Sequence, residues 1–320
     1  MSTSSTASRL DELIGLGSAK RVLREIIPGN SGVHAVLLYG SAGSGKNVLA
    51  SLLAQAWMCQ SPTPDGADGT CRACGAFERD KNVDFLHITP QGPSQIIAVK
   101  AITNDSPKDD DPVPVLSFFR TMPLMSRHKV ALIEAADAMN VSANNALLKT
   151  LEEPYPHAKL ILTTDSIGKI LPTILSRCVA VACEAPSLLE LRDAFPEATA
   201  DEIRMADGTP GRLRHLLTHR AAYEGITRLA RTMLRRRRGE ALVAAEDLRQ
   251  VAEGLEAALK CGMRAANAET LEMLALFFSR EPGAPPEWTH DIAEAHRRVM
   301  RNGQASLIFD ALATKMLGQR

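Results

Sequence analysis

The sequence lacks an excess of charge of either sign and a long apolar run. Its 37 Lys and Arg residues balance 37 Asp and Glu residues. A net charge of zero cannot hold a nucleic acid through a global basic field, so any contact with DNA must be local or shared with partners. No segment approaches the run of about eighteen apolar residues that a membrane-spanning helix requires. We therefore expect no membrane-spanning helix.

Cysteine is scarce, and the N-terminus is polar. Six cysteines in 320 residues are too few for a disulfide scaffold, and a close group of them in a reducing compartment more often marks a metal site. The start of the chain, Met1 to Thr6, has neither the charged nor the apolar region of a signal peptide. We therefore expect a cytoplasmic protein.

The apolar content is high enough for more than one core. With 45% hydrophobic and 4% aromatic residues, the composition excludes disorder, and the length predicts two or three domains. Up to about residue 185, short aliphatic runs alternate with helical patterns, which is typical of a parallel sheet covered by helices. The candidate buried strands are Ala35–Tyr39, Phe85–Ile88, Lys129–Ile133 and Lys159–Thr163.

The second half of the sequence reads as helical. Beyond Ser187, Ala, Leu, Arg and Glu dominate, and a break at Gly208 to Gly211 separates a small helical part from a longer bundle. The predicted organisation is an α/β domain over residues 1–185 with a cysteine-containing insertion at about 59–80, a helical segment over 186–220 and an all-α domain over 221–320.

One helix of the second half is rich in arginine. A helix predicted over residues 223–238 places four arginines on one face, Arg228, Arg231, Arg235 and Arg238. This pattern favours a solvated face, and a surface for DNA or an acidic partner stays open as the alternative.

A glycine-rich segment follows the strand that ends at Tyr39 and precedes an apolar helical pattern. In this context it matches a phosphate-binding loop: glycines let backbone amides converge on phosphates, the helix N-terminus adds positive potential, and the lysine reaches the terminal phosphates. The alternative is a glycine-rich turn with a surface lysine. The candidate nucleotide-binding residues of the loop are Gly40, Gly43, Ser44, Gly45, Lys46 and Asn47.

Two positions depart from a hydrolytic site. Asn47 stands where the Mg²⁺ ion requires a Ser or Thr hydroxyl, and an amide oxygen is a poorer ligand. The strand that ends at Ile133 is followed by Glu134 and Ala135, so one member of the expected acidic pair is missing. The sequence therefore predicts a nucleotide pocket with weak or no hydrolysis, unless Glu134 is an ordinary acid at the end of a strand.

The motifs together resemble the AAA+ clamp-loader family over nearly the whole chain. The matching residues are Ile14-Gly15, His34-Ala35, the phosphate loop, Asn145 to Pro154 and Ile174 to Cys178. The resemblance implies an α/β P-loop AAA+ core, a helical lid and an all-α collar that packs subunits into a ring, with Asn302 to Leu312 similar to the last collar helix.

The resemblance also implies a role in DNA replication. A subunit of this family assists the ATP-driven loading of a sliding clamp on primed DNA, within a DNA-directed DNA polymerase (nucleotidyltransferase) holoenzyme. The expected partners are the gamma/tau ATPases and the delta subunit of the loader, with the clamp and primed DNA contacted through the complex. No membrane partner is expected.

Several site residues are expected from this resemblance alone. Arg177, in Ser176-Arg177-Cys178, is similar to an arginine that projects into the ATP site of a neighbouring subunit. A guanidinium suits that role because it stays charged and can stabilise charge on the transferred phosphoryl oxygens. Thr163 is similar to the position that reads the terminal phosphate, and Arg212 to the lid arginine that faces nucleotide.

A zinc module is also implied. Cys59, Cys71 and Cys74 resemble three of its four cysteines, but Phe77 occupies the position of the fourth. Because structural zinc takes four ligands, the site is incomplete unless Glu78, Asp80, His87 or another side chain turns in. A packed remnant with reduced thiols is the alternative.

Two other functions compete with a non-hydrolysing loader subunit. An active gamma/tau-like ATPase subunit would carry Ser or Thr after Lys46 and an acidic pair after Ile133, and this chain has neither. An unrelated P-loop enzyme would not need Ser176-Arg177-Cys178 or an all-helical final hundred residues. The chain is therefore not expected to be catalytic alone.

Overall fold

The computed structural model describes residues 9–28, 32–91, 95–103 and 113–318. Met1 to Thr6, which bear on the expected lack of a signal peptide, lie outside the described residues. The chain divides into two compact units, the first ending at Glu190 and the second beginning at Leu191. The division into three predicted parts stays a prediction.

A parallel sheet forms the centre of the first unit. Its strands are β1 Ala35–Tyr39, β2 Phe85–Ile88, β3 Lys129–Ile133, β4 Ala158–Thr164 and β5 Val179–Ala182. They lie in the order β2-β3-β4-β1-β5, and every neighbouring pair is parallel. The predicted α/β class with a parallel sheet is confirmed, as are the four candidate strands.

The fifth strand was missed in the sequence. β5 is an edge strand of four residues, and only Val181 in it is fully buried. Its four residues form an apolar run like those of the other strands, but two of them are alanine, which is depleted in strands, and this weakened the strand signal.

Helices flank this sheet. They are α1 Gly17–Ile26, α2 Lys46–Met58, α3 Arg72–Glu78, α4 Val115–Phe119, α5 Val141–Glu152 and α6 Pro172–Leu175. The next helix, α7 Leu188–Ala194, spans the boundary between the two units. Parallel strands need crossover connections of this kind. One strand ends at the carboxyl end of the sheet, and the next strand must begin again at the opposite, amino end.

The sheet has an apolar core on each face. Along β1, Val36 and Leu38 belong to one buried cluster, and Ala35 and Leu37 to the other. Successive side chains of a strand point to opposite faces, so a strand buried on both faces must be apolar at every position. Trp57 of α2 anchors the first cluster and is 1% exposed.

A buried carboxylate fixes the loop before β3. Asp84 is fully buried, and its carboxylate accepts hydrogen bonds at 2.9–3.1 Å from the backbone N–H groups of Leu124, Met125 and Ser126. Replacing it with alanine would leave three backbone donors without a partner.

We expect Asp84→Ala to lower the free energy of unfolding by about 3–5 kcal/mol, because hydrogen bonds to a charged group contribute about 1.5–3 kcal/mol each and do not add fully. Urea unfolding followed by circular dichroism measures this change. Glu153→Ala, at an exposed position of the same unit, is the control and should stay within about 0.5 kcal/mol of the wild type. An equal effect of the two substitutions would contradict the role of Asp84.

The second unit is helical throughout its described residues, as the sequence predicted. After α7 come α8 Ala200–Met205, α9 Pro210–Thr218, α10 Arg220–Met233, α11 Ala241–Leu259, α12 Met263–Ser279, α13 Pro286–Met300 and α14 Ala305–Gly318. Large buried side chains such as Leu271, Trp288 and Phe309 fill its core. Among the described residues, no helix is both long and apolar enough to cross a membrane.

The predicted arginine face is wrong in part. Helix α10 ends at Met233, so Arg235 lies beyond it and a single helix over 223–238 does not form. Arg231 pairs with Asp201, while Arg228 and Arg235 line an open cavity of about 850 Å³ in this unit.

Candidate functional site

The glycine-rich segment forms a tight loop between β1 and α2. Gly43 and Gly45 have φ angles of 77° and 89°, in the left-handed region that favours glycine. A Cβ at Gly40 would lie 2.2 Å from the backbone oxygen of Cys183, so only glycine fits there. The loop therefore has the strand-loop-helix geometry that the sequence predicted for a phosphate site.

Two polar side chains of this loop are held inside it. Lys46 is 7% exposed, donates from Nζ to the backbone oxygen of Ser41 at 3.2 Å and pairs with the carboxylate of Asp165. The Ser44 hydroxyl is buried without a hydrogen-bond partner among the described residues. A buried hydroxyl without a partner is costly, and a phosphate oxygen at the start of α2 would supply one.

The position after the lysine contacts the remaining acid. Asn47 donates from Nδ2 to Glu134 Oε2 at 3.2 Å, and Nε2 of His87 lies 3.0 Å from Glu134 Oε1. Both carboxylate oxygens of Glu134 therefore already have a protein partner. Asn47 and Glu134, two of the candidate nucleotide-binding residues, are thus in contact, with an amide where a hydrolytic site would place a metal ion.

Neighbouring strand ends complete this edge of the sheet. Thr163 of β4 is opposite Leu38 of β1 and is 1% exposed. Its hydroxyl accepts a hydrogen bond from the backbone N–H of Ala135 at 3.3 Å. Ala135 itself has a φ angle of 51°, so the residue in place of the second acid lies in the left-handed region.

A cavity of about 520 Å³ lies beside Leu16, the residue before α1. Leu16, Gly17, Ala182 and Pro186 are among its lining residues, and a Cβ at Gly45 would touch Leu16 at 3.4 Å. The cavity thus adjoins the phosphate loop through Leu16. The sequence did not predict this cavity, because the residues around Leu16 and those that follow β5 come together only in the folded chain.

Arg177 lies at the opposite end of the sheet from the loop. It precedes β5, and Val179 pairs with Val36 at the start of β1, whereas Gly40 follows the end of β1. Along β1, the position level with Val179 and the start of the phosphate loop are therefore four residues apart, a distance of about 13 Å. Arg177 is not placed to serve the phosphate loop of its own chain.

The Arg177 guanidinium has three acceptors. Nη2 lies 2.7 Å from Oε1 of Glu152 at the end of α5, and Nη1 donates to the Thr173 oxygen at 3.0 Å and to Ser176 Oγ at 3.2 Å. The two paired side chains are 34% and 51% exposed. Within the described part of the chain, two of the five N–H donors have no acceptor, which is enough for one bidentate contact with a phosphate.

Arg212 belongs to the second unit. It lies on α9 and forms an ion pair with Glu272 of α12. Its contact with nucleotide stays a prediction.

The three cysteines come together as expected, with a fourth donor that was missed. Sγ of Cys59, Cys71 and Cys74 and a carboxylate oxygen of Asp68 all lie within 4.8 Å of one another. The spacing of these residues carried no signal for Asp68, because it lies in the irregular segment before α3.

The three candidates for the fourth ligand are not part of this cluster. Glu78 accepts a hydrogen bond from Gln55, His87 contacts Glu134, and Asp80 is an exposed residue after α3. Another side chain, Asp68, therefore turns in to the cysteines in place of these three.

The surroundings of the cluster raise the pKa of two of its thiols and lower the pKa of the third. Burial raises the pKa of Cys59 and of Cys74. Burial also acts to raise the pKa of Cys71, but backbone hydrogen bonds involving Gln60 and Cys74 outweigh it and leave that pKa below its usual value. The N–H groups of Cys71 and Thr70 hold the pKa of Asp68 at about 2. The donor set fits zinc, which takes thiolate and carboxylate ligands in a tetrahedron.

A phosphate loop at the end of β1, in a parallel sheet of order β2-β3-β4-β1-β5, defines an AAA+ fold. Residues 16–187 match the family described as DNA polymerase III, delta subunit. The chain belongs to this family, and the resemblance to AAA+ clamp-loader proteins seen in the sequence is confirmed.

Curated relatives agree with this assignment. The delta-prime subunit of DNA polymerase III from Pseudomonas aeruginosa is 38% identical over 185 residues, which cover 55% of this chain and 53% of that protein. The gamma subunit from Buchnera aphidicola is 33% identical over 146 residues, 46% of this chain and 37% of that protein. The chain thus spans about half or less of the curated relatives it matches, and it is most simply described as delta-prime-like.

The fold agrees with that of a DNA polymerase III gamma subunit-related protein from Thermotoga maritima. The TM-score is 0.50 at 16% identity, and the match covers 93% of this chain and 99% of that one. At this identity the likeness shows the fold alone.

Proposed function

We propose that the chain is a delta-prime-like subunit of a DNA polymerase III clamp loader. It assists the ATP-driven loading of a sliding clamp on primed DNA, in the cytoplasm, together with gamma/tau and delta subunits. The family match over residues 16–187 supports the assignment. The observation that supports a role for Arg177 in a neighbouring subunit is its position at the end of the sheet remote from its own phosphate loop.

The phosphate loop serves to bind nucleotide without efficient hydrolysis. Lys46 and the unpartnered Ser44 hydroxyl would hold phosphate oxygens, and the adjoining cavity beside Leu16 would hold the base. Phosphate must displace Asp165 from Lys46, and this exchange costs little because Asp165 is 61% exposed. The loop then acts as a structural nucleotide site.

The hydrolytic step is disfavoured by Asn47 and Ala135. Mg²⁺ at this edge would need an oxygen of Asn47 and of Glu134, yet the amide nitrogen of Asn47 faces Glu134. A left-handed Ala135 offers no carboxylate to polarise water. The chain is therefore proposed to be non-catalytic alone within the polymerase holoenzyme.

Arg177 is proposed to act in trans. Its present contacts are half-exposed, so they contribute about 1 kcal/mol or less, and a neighbouring phosphate can replace Glu152 as the acceptor of Nη2. In that position the guanidinium would stabilise the charge that develops on the transferred phosphoryl group.

A second candidate function is that of an active gamma/tau-like ATPase subunit. The identity of 33% with a gamma subunit and 31% with the tau subunit of Salmonella typhimurium favours it. The same residues, Asn47 and Ala135, argue against it. ATP turnover separates the two functions.

Co-assembly tests the proposal. The chain, mixed with gamma/tau and delta subunits of its own source, should elute with them as one complex in size-exclusion chromatography. Elution as a separate species under conditions in which the other subunits assemble would contradict membership of the loader.

The cysteine cluster is proposed to be a structural zinc module. It joins Cys59, directly after α2, to Cys71 and Cys74 at the start of α3. Zinc there would fix the insertion against the helix that begins at Lys46.

A further inference from the structure

The zinc module lacks a donor at the position expected for its fourth cysteine. Phe77 occupies that position, and its ring packs edge-to-face on Phe85 with centroids 4.9 Å apart. It also packs against the buried cluster that contains Trp57. The Phe77 side chain thus packs in the apolar core, and the fourth metal ligand must come from another residue.

Asp68 is placed where a fourth ligand belongs. Its Oδ1 lies 3.4 Å from Cys74 Sγ, and Cys74 Sγ lies 3.5 Å from Cys71 Sγ. In a tetrahedral zinc site with ligands at about 2.0–2.3 Å, neighbouring ligand atoms are about 3.3–3.8 Å apart. The observed separations match this spacing.

The backbone holds the Asp68 carboxylate in that place. Oδ1 accepts hydrogen bonds from the N–H groups of Thr70 and Cys71 at 2.9 and 3.1 Å. A carboxylate offers about four lone-pair positions, so these bonds leave room for a metal ion. The N–H of Asp68 itself lies 3.3 Å from Cys59 Sγ, which is the kind of outer contact that orients a metal-bound thiolate.

We propose that Asp68 is the fourth protein ligand of the module, giving a Cys59-Asp68-Cys71-Cys74 zinc site. The proposal rests on the zinc module proposed above. An ionised Asp68 preserves the charge of a four-cysteine site, because it replaces one negative ligand with another. It replaces a soft sulfur with a hard oxygen, which Zn²⁺ and Co²⁺ accept.

Cobalt substitution of the full-length protein tests the ligand set. Zinc content is measured first, and Co²⁺ is then exchanged into the wild type and into Asp68→Cys and Asp68→Asn variants. The wild type should bind one metal ion per chain and give a spectrum of three thiolates and one oxygen. Asp68→Cys should keep that stoichiometry and gain the more intense sulfur-to-metal absorption of four thiolates.

Affinity provides the second readout. Asp68→Asn keeps the shape and an acceptor for the N–H groups of Thr70 and Cys71, but it removes the charge, and we expect zinc affinity to fall at least about 10-fold in chelator competition. Asp80→Asn, an exposed aspartate on the same segment, is the matched control and should leave affinity unchanged. Circular dichroism verifies that each variant is folded.

The possible failures are distinguishable. A wild-type protein that binds no zinc under reducing conditions would overturn both the module and its ligand assignment. Zinc bound equally by the wild type, Asp68→Asn and Asp80→Asn, with no spectral change in Asp68→Cys, would overturn the role of Asp68 alone. Neither result bears on clamp loading.

Discussion

Replacing Arg177 with alanine is expected to lower the DNA-stimulated ATPase of a reconstituted loader and to reduce clamp loading further. An arginine that stabilises phosphoryl transfer in trans contributes about 10³-fold or more at the site it serves. One site of several in the ring is affected, so total ATP turnover should fall only in part. Loading should fall more, because it requires the subunits to act together.

Assembly should not change. The pair of Arg177 with Glu152 is substantially exposed, so its loss should cost about 1 kcal/mol or less of stability. Arg177→Lys should restore little activity, since an ammonium lacks the planar fork of a guanidinium. Arg120→Ala, an exposed arginine of the same unit, is the matched control and should behave as the wild type.

Full ATPase and loading rates with Arg177→Ala, in complexes shown to be assembled, would contradict the trans role. The affected site can be assigned by measuring single-turnover hydrolysis in rings that carry one competent ATPase subunit next to this chain. Loss of turnover in that ring, and not in one where the competent subunit lies elsewhere, is the expected pattern.

The second large effect concerns the chain alone, which should hydrolyse ATP more than tenfold slower than a competent loader ATPase. Both the metal hydroxyl and the second acid are absent at Asn47 and Ala135, and Glu134 is held by Asn47 and His87. Steady-state turnover of the purified chain measures this, and Lys46→Ala shows how much of any residual rate comes from this site.

Restoring the two groups is the complementary test. Asn47→Thr alone should leave turnover near the wild-type value, because the second acid is still missing. Asn47→Thr with Ala135→Glu should raise it, and the left-handed φ at position 135 adds little cost, because Ala135 already carries a Cβ in that conformation. Turnover by the wild type at the rate of a competent subunit would favour the gamma/tau-like alternative.

The sequence predicted the features that depend on local pattern. The phosphate loop and the four predicted strands follow from glycine spacing and from short apolar runs, which are typical of strands in a sheet covered on both faces. The edge strand β5 was missed although it is apolar throughout, because two of its four residues are alanine, which is depleted in strands. The extent of α10 was overestimated, because residues 234–238 continue the arginine spacing after the helix has ended at Met233.

The site could be predicted only in part, because several of its contacts depend on the tertiary fold and leave no local pattern in the sequence. Asn47 was identified from the phosphate-loop pattern and Glu134 from the strand that precedes it, whereas the contact between them appears only in the structure. Asp68 was not found, because its approach to Cys59 and Cys74 depends on how an irregular segment folds back and on the backbone hydrogen bonds of Thr70 and Cys71. Arg212 was expected near nucleotide, and its ion pair with Glu272 carries no sequence signature.

The central claim is that this chain is a subunit of a clamp loader. Loading of a fluorescent sliding clamp onto primed DNA by gamma/tau and delta subunits, with and without the chain, tests it most directly. We predict that loading is weak when the chain is left out and that adding it at equal stoichiometry restores ATP-dependent loading. Loading that is equally fast without the chain, or unchanged by its addition, would contradict the account.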